Sequence, residues 1–160
     1  MKNVFIIAFL SFLPSLIMAQ DTLARPAKVI LDKSGKLTSA QIKTLSDLSE
    51  GLQRTRKTMG WVLVVDTVPA GQTVMAYAKG IFKKWNLNND NDGMNFIIIY
   101  VRKENGIRIE ASDKIVTLVT KDYMRRVIAE SMIPLLKQSK EFEALKKGME
   151  MMVKQIVNNE

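Results

Sequence analysis

Two stretches, "WVLVVD" (Trp61–Asp66) and "MNFIIIYV" (Met94–Val101), are apolar at almost every position instead of every second one. A strand that does not alternate is buried on both faces, so each must lie in a sheet covered above and below. Between them, "TVMAYAKGIFKKW" puts Val74, Tyr77, Ala78, Ile81 and Trp85 on one side of a helix. Strand, helix and strand in that order form a crossover unit with parallel strands. The rest of the chain must therefore supply helices for both faces.

The flanking sequence does so. A short extended piece, "AKVILD", leads into "KSGKLTSAQIKTLSDLSEGLQRTRKTMG". Thr38 and Gln41 have the spacing of a capping box, and Leu37 and Ile42 fit the hydrophobic staple. Ile42, Leu45, Leu48 and Leu52 continue as a helical stripe, and Gly60 is expected to end that helix. After Val101, the Asn105-Gly106 pair signals a hairpin, so "IRIEA" should return antiparallel. The remainder reads as helical. "TKDYMRRVIAESMIPLLKQ" is expected to kink at Pro134, and "KEFEALKKGMEMMVKQIVNN" presents Phe142, Leu145, Met149, Val153 and Ile156. The predicted fold is α/β, a small mixed β-sheet flanked by helices: an α/β sandwich, Rossmann-like in outline.

The N-terminus stands apart from this pattern. Lys2, the apolar "VFIIAFLSFLPSLIM", Ala19 and the polar "QDTLARP" have the order of a secretory signal peptide. Residues 1–19 are read as a cleaved leader and 20–160 as one domain. An uncleaved anchor is the alternative, but Ser11, Pro14 and Ser15 interrupt a run already shorter than the roughly 18–20 residues of a membrane span. The expected location is periplasmic or secreted, with no transmembrane helix in the mature chain.

Cysteine and histidine are both absent. That excludes a Ser-His-Asp triad, a Cys-His pair, a phosphohistidine intermediate and a histidine-ligated zinc site within this chain. Any catalysis has to use carboxylates, Lys, Ser, Thr, Tyr or a metal held by oxygen ligands. The net charge is +8, yet no aromatic-basic recognition motif appears, and the expected export argues against nucleic acid as the partner.

"NLNNDNDG", just before the second buried strand, is the densest polar stretch. Asn88, Asp90, Asp92 and Gly93 match positions one, three, five and six of a calcium loop. The twelfth position, where such a loop needs a bidentate Glu, falls on Ile99 in the strand. The stretch is thus either a plain turn or part of a split site. With Asn105-Gly106 as a two-residue turn, Glu110 would lie level with Val101 and Asp113 with Ile98. Thr120-Lys121-Asp122 would then open a helix beside the acidic loop. A second acidic set, Asp32, Asp66 and Glu110, is expected toward the carboxyl ends of the parallel strands, the usual ligand side. Arg125 and Arg126 are candidates for holding an oxyanion.

Taken together, "LDKSGKLT", "GWVLVVDTVPAGQTVMAYAKGIFKKWNL", "NDGMNFIIIYVRKENGIRIE" and "MIPLLKQSKEFEALKKGM" resemble the TPM domain family over about Val29 to Met152. The resemblance implies an α/β sandwich and carries a phosphatase label, with acid phosphatase activity and Ca²⁺ associated with some members. By position it points to Asp32, to Asn91-Asp92-Gly93 and to Arg108-Ile109-Glu110. The chain departs from the pattern where a glycine-rich segment is replaced by "SDKIV" (Ser112–Val116), and where Lys121 replaces an acid with Asp122 one place along. Two expectations follow. One is an exported module binding a divalent metal, Ca²⁺ or else Mg²⁺, through Asp90, Asp92 and Asp122, with Asp32 and Asp113 as lesser candidates. Its partners would be envelope or membrane-complex proteins. The other is a metal-assisted phosphatase using Asp92, Asp122 and Arg126.

Overall fold

The computed structural model describes residues 23–159; the expected leader lies outside them. Strands β1 (Ile30–Asp32), β2 (Met59–Val65), β3 (Asn95–Val101) and β4 (Gly106–Ala111) lie side by side in chain order. The first three are parallel, and β4 is antiparallel to β3. The mixed sheet is as expected, with the end of "AKVILD" added as an edge strand. All of β3 and all of β2 except Met59 are buried, as non-alternating strands require.

The two faces of the sheet are covered by different helices. Val62, Val64, Phe96, Ile98 and Tyr100 pack in one core with α1 (Ser39–Arg56) and α6 (Glu141–Asn158). Trp61, Leu63, Ile97 and Ile99 face α2 (Val74–Lys84) on the other side. Both crossovers step in the same direction along the sheet, yet α1 and α2 lie on opposite faces. The two crossovers must therefore have opposite hands, and one is the uncommon left-handed kind. In a Rossmann sheet the helices change face where the strand order reverses. Here the order does not reverse, so the α/β sandwich holds without the Rossmann-like winding.

Thr38 caps α1 with the expected box: Thr38 Oγ1 accepts from Gln41 N, and Thr38 N donates to Gln41 Oε1. The helix stops earlier than Gly60, at Lys57, which takes the left-handed conformation at φ 52°. Gly60 lies within β2 instead, where an added Cβ would come 2.7 Å from the Phe96 ring. Close approach, not helix termination, explains that glycine.

The hairpin also differs from expectation. Val101 pairs with Gly106 and Ile97 with Glu110, so the loop contains four residues, Arg102 to Asn105. Asn105 alone is left-handed, at φ 47°, and its N–H closes the turn on Arg102 O. The loop is also centred earlier in the chain, with Gly106 already in β4, so Val101 meets Gly106 where the two-residue turn would have set Glu110, and every cross-strand partner shifts with it. Helix α3 (Asp113–Leu118) consequently follows β4 directly, and α4 (Lys121–Arg126) comes one helix later. Beyond α4, the kink expected at Pro134 is a π turn over Val127–Met132, followed by α5 (Ile133–Leu136). Proline has no N–H for the carbonyl four residues back, and a widened turn relieves the clash of its ring with that carbonyl.

Candidate functional site

The loop from Asn86 to Met94 enters β3 at the amino ends of the parallel strands. Its path is a series of tight turns. Asn86 sits at φ 55°, and its carbonyl accepts from the N–H groups of Asn89 and Asp90. Asn91, Asp92 and Gly93 follow at φ 49°, 53° and 71°. An added Cβ on Gly93 would lie 2.8 Å from Asn88 O, so both conformation and space require glycine there.

Side-chain amides, one of them fully buried, hold these turns in place. Asn95 opens β3 with no exposed surface. It donates to Leu87 O at 2.9 Å and Asp90 O at 2.6 Å, and accepts from Trp61 Nε1 at 3.3 Å. Asn91 donates to Lys57 O at 2.7 Å and Met94 O at 3.0 Å, joining the loop to the end of α1. Asn88 exchanges two hydrogen bonds with Asp113, and Ser112 Oγ donates to Gly93 O. The acidic stretch is thus a built turn, fastened to α1, β3 and the start of α3.

The carboxylates are engaged separately. Asp90 accepts from the guanidinium of Arg25, which also lies 4.7 Å above the Trp61 ring. That hydrogen bond holds the Asp90 carboxyl below the usual range. Asp92 points from the same loop into solvent. Asp122 pairs with Arg125 on the exposed side of α4, and Arg126 stands over the Tyr123 ring at 5.9 Å. Asp113, not Asp122, comes to the loop, because α3 begins where the two-residue turn would have placed α4.

Asp32 lies at the other end of the sheet and organises the turn into α1. It accepts from Ser34 N, Ser34 Oγ, Gly35 N and Leu37 N at 2.6–3.1 Å. Burial pushes its carboxyl up, but these donors outweigh burial and leave it below the usual range. Its contribution to stability is therefore present above the unfolded pKa of about 3.9 and lost as pH falls through the folded one. Asp32→Asn is expected to cost about 1 kcal/mol at neutral pH, since hydrogen bonds to a charged acceptor are the stronger kind. The gap to wild type should close on acidification, which urea titrations at several pH values would measure. Asp66 shares Arg102 with Glu141, tying the hairpin to α6. Glu110 does not join Asp32 and Asp66: opposite Ile97, it stands at the acidic-loop end of β4.

Among the described residues, no group of three or more Asp or Glu is placed to hold a metal ion. A cleft of about 360 Å³ does adjoin the loop, lined by Phe82, Asn86, Asn88, Asn89 and Asp113 among others. The TPM domain profile matches residues 30–155. The chain belongs to the TPM domain family.

Solved structures agree on its fold. The N-terminal domain of a protein from P. gingivalis is similar at TM-score 0.74 and 14% identity, covering 82% of this chain and 83% of that one. BA42 from Bizionia argentinensis matches at TM-score 0.68 and 16% identity, covering 79% and 86%. The N-terminal domain of cg2496 from Corynebacterium glutamicum matches at 0.65 and 11%, covering 84% and 83%. No curated protein matches this TPM domain. Among its described residues, no helix is long and apolar enough to cross a membrane.

Sequence reading missed three residues of this TPM site. Asn95 had a signal: a polar amide, poorly suited to strands, at the head of a wholly apolar run. Asn91 entered only through the Asn91-Asp92-Gly93 resemblance, with no sign that its side chain bridges two segments. Arg25 had no signal, because only the fold brings it to Asp90, 65 residues along.

Proposed function

We propose that this TPM domain is an exported, largely non-catalytic interaction module, acting on envelope or membrane-complex proteins. The observation that carries the reading is the dispersal of its acidic side chains. Phosphoryl chemistry requires carboxylates, cations and substrate oxygens to converge within about 3 Å of the reacting atoms. Asp92 faces solvent, Asp122 holds Arg125, and Arg126 lies over Tyr123. Export rests on the leader-like order of residues 1–19.

The described carboxylates do not fit a preformed divalent-cation site. Calcium, with magnesium as its substitute, enters this reading only at the loop, where Asp90 and Asp92 share one turn. An ion bound there takes Asp90 from Arg25. Removing that competing cation by Arg25→Ala should strengthen Ca²⁺ binding several-fold, followed by amide shifts at Asp90–Gly93 during titration. No shift in either protein at millimolar Ca²⁺ or Mg²⁺ would remove metal from the reading.

Metal-assisted phosphomonoester hydrolysis through Asp92, Asp122 and Arg126 is the competing reading. A chromogenic phosphate ester, with and without Ca²⁺ or Mg²⁺, separates the two. The module reading expects hydrolysis at the buffer rate. Turnover abolished by Asp92→Asn would establish the phosphatase instead.

A further inference from the structure

A second cleft, of about 480 Å³, lies beside β4 and meets the loop's cleft at Ala111. Four consecutive β4 residues, Arg108 to Ala111, line it. Neighbouring side chains on a strand point to opposite faces, so a cleft touching all four runs along the strand's outer edge. No strand lies beyond β4 among the described residues. The parity of the ladder is fixed by Ser112 N, which donates to Asn95 O at 3.0 Å. Gly106, Arg108 and Glu110 therefore turn their backbone groups toward β3, while Ile107, Ile109 and Ala111 turn theirs outward. No backbone–backbone hydrogen bond among the described residues meets those outward groups.

The walls of the cleft have a definite chemistry. Helix α2 contributes Met75 and Lys79, and the α4 segment contributes Lys121 and Arg125. Met75, 47% exposed, is one of two large apolar side chains left open among the described residues. Lys79, Arg108 and Lys121 outnumber Glu110, while Arg125 is shared with Asp122.

We propose that the β4 edge is a docking strand for an acidic, extended segment of a partner protein, which adds a fifth strand in the cleft between α2 and α4. Main-chain hydrogen bonds to Ile107, Ile109 and Ala111 hold the segment, and the cations select its acidic side chains. Four lining residues span roughly 13 Å, enough for about four paired residues of the partner. A second copy fits poorly, because edge-to-edge pairing sets Lys79, Arg108 and Lys121 against their own counterparts. Charged side chains on the strand itself keep such an open edge from pairing with itself.

The proposal gives the interaction module its surface and rests on that reading. The test uses the chain from Gln20 onward, the mature form implied by the leader-like order of residues 1–19. The probe is a capped ten-residue peptide alternating Glu and Val, with a Lys and Val peptide as control. Expected are amide shifts and slowed hydrogen exchange at Ile107, Ile109 and Ala111, with the control inert. Lys79→Glu combined with Lys121→Glu should weaken binding at least tenfold; both side chains are exposed, and an unchanged amide spectrum elsewhere verifies the fold. Absence of slowing at those three amides in millimolar peptide overturns the proposal. So does an equal response to inorganic polyphosphate without amide protection, which would make the cleft a general anion surface. A dimer of free protein protecting the same amides would make the occupant a second copy, and also overturns it. Phosphate-ester turnover would defeat the non-catalytic reading while leaving the peptide result standing, so the two failures remain distinct.

Discussion

Asn95→Leu is expected to cost about 3–5 kcal/mol of stability, an unusually large effect for one uncharged side chain. Leucine is close in size, so the space remains filled. What disappears is the bonding of Leu87 O, Asp90 O and Trp61 Nε1, all of which meet Asn95 in a fully buried position. Each buried polar group left without a partner costs roughly 1–3 kcal/mol. Urea denaturation with an unchanged m-value would measure the loss, and Asn89→Ala on the exposed rim should cost below about 0.5 kcal/mol. A loss under about 1 kcal/mol for Asn95→Leu would show that other groups hold the loop. Asn95→Asp makes a sharper test. Its carboxylate would face two carbonyl oxygens in a buried position, which raises its folded pKa above the unfolded value of about 3.9. The destabilisation should therefore be smallest in acid and grow as pH rises toward the folded pKa.

The same residue shows where the sequence was readable and where it was not. The strands β2 and β3, the stripe on α2 and the capping box on α1 are local patterns, and each is fixed by residues a few places apart. The sheet order follows from them with little freedom. Face assignment is different. Nothing in "WVLVVD" or "MNFIIIYV" states which face meets α1 and which meets α2, because both faces are equally apolar. The unlike hands of the two crossovers were therefore invisible.

The candidate site was legible only in part. Asn and Asp in the loop were correctly located, but their partners depend on register. A hairpin loop centred earlier than Asn105-Gly106 suggested brought Asp113 to Asn88 and left Asp122 on the next helix. A register error of this size is enough to turn an apparent acidic cluster into separate ion pairs and hydrogen bonds. Asp32 likewise reads as a possible ligand in one dimension. In three, the donors of its own turn already satisfy it.

Gly148→Val is expected to cost about 3 kcal/mol, and its reason lies in the π turn. An added Cβ at Gly148 would come 2.5 Å from Met132 Cε, 2.7 Å from its Sδ and 3.2 Å from Ile98 Cδ1. Met132 closes the π turn and is fully buried, as is Ile98 in the middle of β3. In an open helix, replacing glycine by alanine would gain about 1 kcal/mol in propensity. Overpacking costs about 1–3 kcal/mol, so Gly148→Ala should fall between neutral and roughly 2 kcal/mol unfavourable, and the two further methyl groups of valine should find no room. Met132→Ala alone should cost about 2–5 kcal/mol by opening a cavity. Combined with Gly148→Ala it should cost less than the two changes added, by about 1 kcal/mol, because the new methyl group enters the vacated space. Additive losses would mean that the two side chains do not compete for one space. Because Ile128 of the same π turn lines the β4 cleft, the strained Gly148→Ala protein should also shift the Ile128 and Arg108 amides. Widening the turn at Pro134 and thinning α6 at Gly148 would then be two parts of one arrangement that lets α6 approach β3 while the π turn borders the open edge of the sheet.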